Sequence, residues 1–385
     1  MTETAPPQLS ALEVASGYLF GSETGVTLPP AVPAAPIAAF EEAVRAALER
    51  PPAVVAFSGG RDSSAVLAVA ADVARREGLA EPIPATLRFP ESAESNEEDW
   101  QERVVRHLGL SDWVRIEIVD ELDCLGPYAQ SALSEHGLLW PPNAHVLVPL
   151  LDQAGDGALL SGDGGDVAFD ASPWRQHLVG VLGRRVSPRP RDLLRIALAV
   201  GPSAARRRRL RRRHVDELRA PWLRSSALER LQDLWSADAA SEPLALDSRI
   251  VWMHRLRAIR FALQSFALLA DRSGTLLVHP FHEPAFVASL ARTARAFRYA
   301  DRTEAMRRLF GHVLPDDICA RTTKGGFRDV FWNRHAREFA GIWTGEGADP
   351  ELVDVDALAR IWRSEEAREH FRSCTQLQAA WLARR

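Results

Sequence analysis

Lysine is almost missing from this chain: of 47 basic residues one is a lysine, Lys324, and the others are arginine. A lysine kept in so arginine-rich a sequence is a candidate for a role that arginine does not fill. Cysteine is scarce too. Cys124, Cys319 and Cys374 lie far apart with no C-x-x-C pair, which argues against a zinc ribbon or a disulfide framework and fits a reducing cytoplasm. No uncharged apolar run approaches the ~18 to 20 residues that span a bilayer, and the opening MTETAPPQLSALEVASGYLF lacks the basic start and apolar stretch of a secretory signal. Charge of one sign is lacking as well. With 47 basic against 51 acidic residues the formal net charge is −4, so bulk electrostatics give no case for nucleic-acid binding. A cytoplasmic protein without a membrane or nucleic-acid partner is expected.

What is present is a chain of 385 residues, 46% hydrophobic and 25% charged, enough to bury a large core in one domain or two. Residues 1–50 read as an irregular lead-in, rich in Ala, Pro and Thr, followed by a helix over Ile37–Glu49 that stops before Pro51 and Pro52. AVVAF then reads as a short buried strand, and SGGRDSSAVLAVAADVARREGL as a Gly-rich turn running into an Ala-rich helix closed by Gly78. IPATLRF at 83–89 and WVRIEIV at 113–119 read as further strands, with a helix between them for which Ser95 is a candidate cap. GALLSGDGGD at 157–166 reads as a fourth strand entering a second tight turn.

Strands alternating with helices predict a doubly wound α/β fold with a parallel sheet, a nucleotide-binding core over 51–172. Ligands of such sheets bind beyond the carboxyl ends of the strands, which puts both Gly-rich turns on one pocket. From about residue 173 the strand signals fade, and 173–385 is expected to add a mainly helical region. Its strongest charge run is ARRRRLRRRH at 205–214. The run from Arg206 to Arg213 reads either as a solvated helix face or as a local site for an acidic peptide, phosphate or nucleic acid, with Asp216 and Glu217 weakening the second reading.

The first turn holds Ser58, Gly59, Gly60, Asp62, Ser63 and Ser64. Paired glycines after a buried strand let backbone N–H groups approach an anion, and serine hydroxyls add donors. A carboxylate there is misplaced against bare phosphate and makes sense if Mg²⁺ lies between them. No G-K-[ST] follows, so this is not a Walker A loop. The segment resembles the pyrophosphate loop of the ATP pyrophosphatase (PP-loop) superfamily, whose members include asparagine synthetases, GMP synthetase, argininosuccinate synthetase and tRNA-modifying enzymes. That resemblance implies ATP cleavage to AMP and pyrophosphate, with Ala56 and Leu87 among the nucleotide contacts.

The second turn, Ser161, Gly162, Asp163, Gly164, Gly165 and Asp166, lacks the spacing and terminal Glu of an EF-hand. It resembles the SG-[E/Y]-G-x-D turn of asparagine synthetases and β-lactam synthetases. By that resemblance Ser161 and Gly162 contact ATP, Asp166 is the second Mg²⁺ carboxylate opposite Asp62, and Asp163 stands at the variable catalytic position near the reacting centre. Neither asparagine nor a β-lactam is thereby specified as product.

LPDDICARTTKGGF at 314–327 resembles the family's LP-x-x-[I/V]-x-x-R-x-x-K-x-G segment, which implies that Lys324 stabilises charge on the adenylate phosphate and the tetrahedral intermediate. HPFHEPAF at 279–286 resembles its [R/H]-P-[F/Y]-x-[D/E] segment, and a metal reading of His279 and His282 lacks a third ligand. ESNEEDW at 94–100 matches its acidic helix start. The motifs stand in family order over residues 53–330. The R-T-T-K-G wording, with no glutaminase-like Cys behind Met1, looks more like the macrolactam-forming enzymes of lasso-peptide pathways than like primary asparagine synthetases.

The expectation is an ATP- and Mg²⁺-dependent amide-forming ligase acting on a small-molecule or peptide carboxylate and an amine, with ammonia supplied, if used, by a separate protein. A tRNA-modifying enzyme and a catalytically degenerate nucleotide-binding partner are the rival readings.

Overall fold

The computed structural model describes residues 8–23, 28–29, 35–92, 95, 97–169, 177–178, 180–181, 183–184, 187–192, 197, 201–213, 220–243, 245–294, 301–323, 325–364 and 370–385. Lys324, Asp216 and Glu217 lie outside the described residues, as do the side chains of Arg212 and Arg213.

Among the described residues five parallel strands form one sheet: β1 (Ala53–Ala56), β2 (Ile83–Arg88), β3 (Val114–Glu117), β4 (Ala158–Ser161) and β5 (Leu276–Val278), in the order β3-β2-β1-β4-β5. The order reverses between β1 and β4, the topological switch point at which open α/β sheets open a crevice. Register decides what faces that crevice. Ala56, the last residue of β1, pairs with Ser161, the last residue of β4, so the two Gly-rich turns leave the sheet side by side.

β1 and β4 are covered on both faces. Val54, Val55, Leu159 and Leu160 are buried, which suits β-branched and leucine side chains in the middle of a parallel sheet. The helix Arg61–Glu77 runs back from the first turn, and its alanine-rich sequence follows from near-complete burial from Ser63 to Ala71: small side chains let the helix lie close on the sheet. Gly78 ends it in the left-handed conformation, as its position predicted. Phe40, Phe281, Phe286 and Phe310 pack edge to face beside this helix and seal one side of the sheet.

β5 was not legible as a strand. Its three residues lie between the helices Arg257–Ser273 and Pro284–Ala294, and it extends the sheet beyond β4. The remaining C-terminal helices build a second core around the buried indoles of Trp222, Trp343 and Trp362. The arginine run forms the helix Ser203–Arg213, packed on Ser225–Ser241, where Arg207 and Arg211 reach the Asp233 carboxylate at 3.9 and 3.2 Å while remaining half exposed. Among the described residues no helix is long and apolar enough to cross a membrane.

Two local expectations are corrected. Ser95 does not cap the helix Glu98–Leu108, which begins without a side-chain cap; its hydroxyl donates instead to the Gly326 carbonyl at 2.5 Å. Cys124 and Cys374, whose wide spacing argued against a disulfide framework, form a disulfide across 250 residues, with Cα atoms 6.2 Å apart, tying the approach to the helix Pro127–His136 to the last helix, His370–Ala383. Linear spacing hid the pair because it joins two distant segments of the second core.

The segment after the helix Asp316–Ala320 is held by a buried ion pair. Arg321 pairs with Glu97, donates to the Gly59 carbonyl at 2.6 Å, and stacks over the Trp100 ring at 4.8 Å. Glu97 also accepts from the Gly325 N–H at 2.7 Å. One guanidinium therefore ties the first Gly-rich turn, the acidic helix start and the backbone next to Lys324 together.

Two outcomes follow. Alkylation of the denatured, unreduced chain is expected to modify Cys319 alone, with Cys124 and Cys374 reacting only after reduction; three reactive thiols without reductant contradict the pairing. Glu97→Ala strands a buried guanidinium and is expected to lower the unfolding free energy by roughly 3 to 5 kcal/mol in urea titrations, whereas a loss below about 1 kcal/mol would equal that of an exposed pair and contradict the clamp.

Candidate active site

At the switch point lies a cavity of about 590 Å³. Ala56, Ser58, Gly60, Asp62 and Ser63 line it from the β1 side, and Ser161, Gly162, Asp163 and Asp166 from the β4 side. Residues a hundred positions apart, singled out by motif, thus share one space. Gly59 is buried beneath the turn, Ser64 is fully buried in the helix behind it, and Leu87 faces a neighbouring cavity of about 500 Å³ that meets the first at Glu97.

The turns touch closely enough to require glycine. A Cβ on Gly162 would lie 2.7 Å from the Ser63 backbone nitrogen, and one on Gly165 would lie 2.3 Å from the Asp62 Cγ. A side chain at either position would push the turns apart.

Within the first turn the hydroxyls satisfy one another. The Ser63 hydroxyl accepts from the Ser58 N–H at 3.2 Å and donates to the Gly60 carbonyl at 3.1 Å, and the Ser58 hydroxyl accepts from the Gly60 N–H at 3.3 Å. These long bonds shape the loop, and the positive end of the helix Arg61–Glu77 gives it a field that favours a phosphate.

The carboxylates are the charged centre. Burial pushes the Asp62 carboxyl above its ordinary range, and the nearby charge of Asp166 adds to the effect, against the pull of Arg302 and Arg61. Arg302 is ion-paired with Asp62 Oδ2, while Asp62 Oδ1 is buried with no hydrogen-bond partner among the described residues. Two neighbouring carboxylates, one with an orphaned oxygen, fit a hard cation that takes one or two protein carboxylates and completes its shell with phosphate and water. Among the described residues no group of three His, Cys, Asp or Glu is arranged to hold a metal by itself.

Asp163 is set apart from the metal pair. Its carboxylate is 3.2 Å from the Nε2 of His282, a ring that is 4% exposed at the carboxyl end of β5. Desolvation would raise Asp163, though weakly for a side chain that is 47% exposed, and the hydrogen bond and charge of His282, with the Gly164 N–H, hold it below the ordinary carboxylate range. His254 and His279 complete an imidazole cluster, with ring centroids 5.2 and 6.1 Å from that of His282. Burial drops both to about 4, so His254 and His279 are neutral at neutral pH.

Among the described residues three arginines line the cavity, Arg61, Arg302 and Arg321. Arg321 stood within the quoted motif; Arg302 carried no signal, since one arginine among many says nothing until the fold sets it against Asp62. The lining also carries the apolar side chains of Pro141, Val146, Leu147, Phe266 and Phe327.

The asparagine synthase family model matches residues 37–383, an interval that contains both Gly-rich turns, the histidine segment and the Arg321 segment. No protein of curated function matches the chain. Enzymes of the matched family use ATP and Mg²⁺, the pair for which the Ser58–Ser63 loop and the Asp62 and Asp166 carboxylates are suited. The chain belongs to the asparagine synthase family and is an ATP-dependent ligase that forms carbon–nitrogen amide bonds.

Proposed function

We propose that the chain activates a carboxylic acid as its acyl-adenylate, releasing pyrophosphate, and then joins it to an amine with release of AMP. The meeting of the two Gly-rich turns at one cavity, with Asp62 and Asp166 in electrostatic contact, carries this reading. Asp62 and Asp166 are the residues that would hold Mg²⁺, which when bound offsets phosphate charge and favours departure of pyrophosphate.

The protein's own groups supply the rest. The Ser58–Ser63 loop holds the β- and γ-phosphates, so that the substrate carboxylate oxygen attacks the α-phosphorus as the bond to the β-phosphate oxygen breaks. In the second step the amine nitrogen bonds to the acyl carbon and the bond to AMP breaks. Asp163, ionised through its contact with His282, accepts the proton that the nitrogen loses. The sole lysine, Lys324, supplies a mobile ammonium for the charge on phosphate and tetrahedral oxygen. Holding both reactants in one cleft contributes by proximity.

The acid is a natural-product or modified-peptide substrate, and the product an amide or a macrolactam. The apolar side chains of Pro141, Val146, Leu147, Phe266 and Phe327 support this, because a small acid such as aspartate offers little apolar surface to bury there. Asp163, in place of the Glu or Tyr of the asparagine and β-lactam enzymes, favours a different acceptor. The tRNA-modifying alternative draws less support from the arginine helix, two of whose arginines, Arg207 and Arg211, share Asp233.

Reactions containing ATP, Mg²⁺, hydroxylamine as the amine and a panel of peptide and small-molecule acids are expected to yield AMP and pyrophosphate. Asp62→Asn is expected to slow turnover about 100-fold or more. Formation of ADP and orthophosphate contradicts the mechanism.

A further inference from the structure

Asp62 is doubly committed: the proposed chemistry needs it for a metal, yet an arginine 240 residues away already holds it. Arg302 is the first residue of the helix Arg302–Phe310, capped by Asp301, which accepts from the Glu304 N–H at 2.9 Å. Next to it, Thr303 accepts from Arg61 at 3.5 Å. The start of this helix is thus docked on the first turn of Arg61–Glu77, and the Arg302 side chain is 13% exposed at the cavity wall.

Without a cation, Asp62 and Asp166 would face each other in a partly desolvated space, which disfavours ionisation of both. Arg302 supplies the missing positive charge. The contrast with Arg321 is informative. That guanidinium is bound to a backbone carbonyl, a buried glutamate and an indole face, and so serves architecture. Arg302 is instead paired with the carboxylate that a metal requires.

A divalent cation at Asp62 Oδ1 would lie beside a guanidinium on Oδ2 of the same carboxylate. Two cations on one carboxylate repel, so metal binding is disfavoured until another anion arrives to take the guanidinium. A di- or triphosphate is such an anion, and its oxygens match the planar donor fork.

We propose that Arg302 is a counter-cation that holds Asp62 in the nucleotide-free enzyme and passes to the phosphates when they enter, so that the metal binds with the nucleotide rather than before it. This rests on the ligase reading above and adds an order of binding to it.

Binding to the full-length protein tests this without turnover, using Mn²⁺ alone, followed by paramagnetic resonance, and inorganic pyrophosphate alone in EDTA, followed by calorimetry. Arg302→Met is expected to bind Mn²⁺ about 10-fold more tightly than the unmodified protein and pyrophosphate about 10-fold more weakly, the size of one charge-assisted contact. Arg302→Lys keeps the charge and loses the fork, so Mn²⁺ affinity should stay within about 2-fold while pyrophosphate binding weakens. Opposite shifts in the Met variant support the proposal. Unchanged affinities, or a loss of both, reduce Arg302 to an architectural ion pair and overturn it. Should the Met variant not fold, the Lys variant decides: weakened Mn²⁺ binding, or undiminished pyrophosphate binding, overturns the proposal. Asp62→Asn should abolish Mn²⁺ binding. If the unmodified protein binds neither probe, the nucleotide reading itself fails; if it binds both and neither Arg302 variant differs from it, only the Arg302 proposal does.

Discussion

Two carboxylates held close together in a partly buried cleft demand a cation, and much of the local architecture meets that demand. The register of β1 against β4 starts the two turns at paired residues. Glycines at 162 and 165 allow backbone to pass within van der Waals distance of Ser63 and Asp62. Arg302 then neutralises Asp62, and Asp163 is turned away toward His282. In the proposed reading, acidic groups of similar type take different work: Asp62 and Asp166 for a metal and phosphate, Asp163 for a proton.

A second buried ion pair does structural rather than chemical work. Arg321 and Glu97 connect the β1 turn to the segment that carries Lys324. A buried pair of this kind contributes little net stability compared with apolar packing, but removing one member is costly. Its value here is geometric, because it sets the backbone at Gly325 relative to the phosphate loop. Nearby Ser95 bonds the Gly326 carbonyl and strengthens the same join.

Much of this was legible in the sequence, for local reasons. AVVA and ALLS are strands buried on both faces, so they read as continuous apolar runs, and the glycine- and serine-rich turns after them announce close approach to an anion. The alanine-rich helix and its Gly78 stop were equally plain. What escaped depended on distant partners. Leu276–Val278 is too short to show periodicity and becomes a strand only by pairing with β4. Ser95 looked like a cap because the acidic helix start lies just beyond it, but the Gly326 carbonyl is a tertiary acceptor. Cys124 and Cys374 meet through the packing of the last helix, and Arg302 is one of many arginines until the helix it begins docks on Arg61 and Asp62.

The central claim is that Asp62 and Asp166 grip one metal–phosphate complex. Crystals soaked with Mn²⁺ and inorganic pyrophosphate, measured at the manganese absorption edge, test it most directly. The account predicts an anomalous peak between the two carboxylates, with an oxygen of each at about 2.1 Å as for a hard octahedral cation, and pyrophosphate against the Ser58–Ser63 loop. A peak that involves neither carboxylate, or pyrophosphate seated in a different cavity, would contradict it.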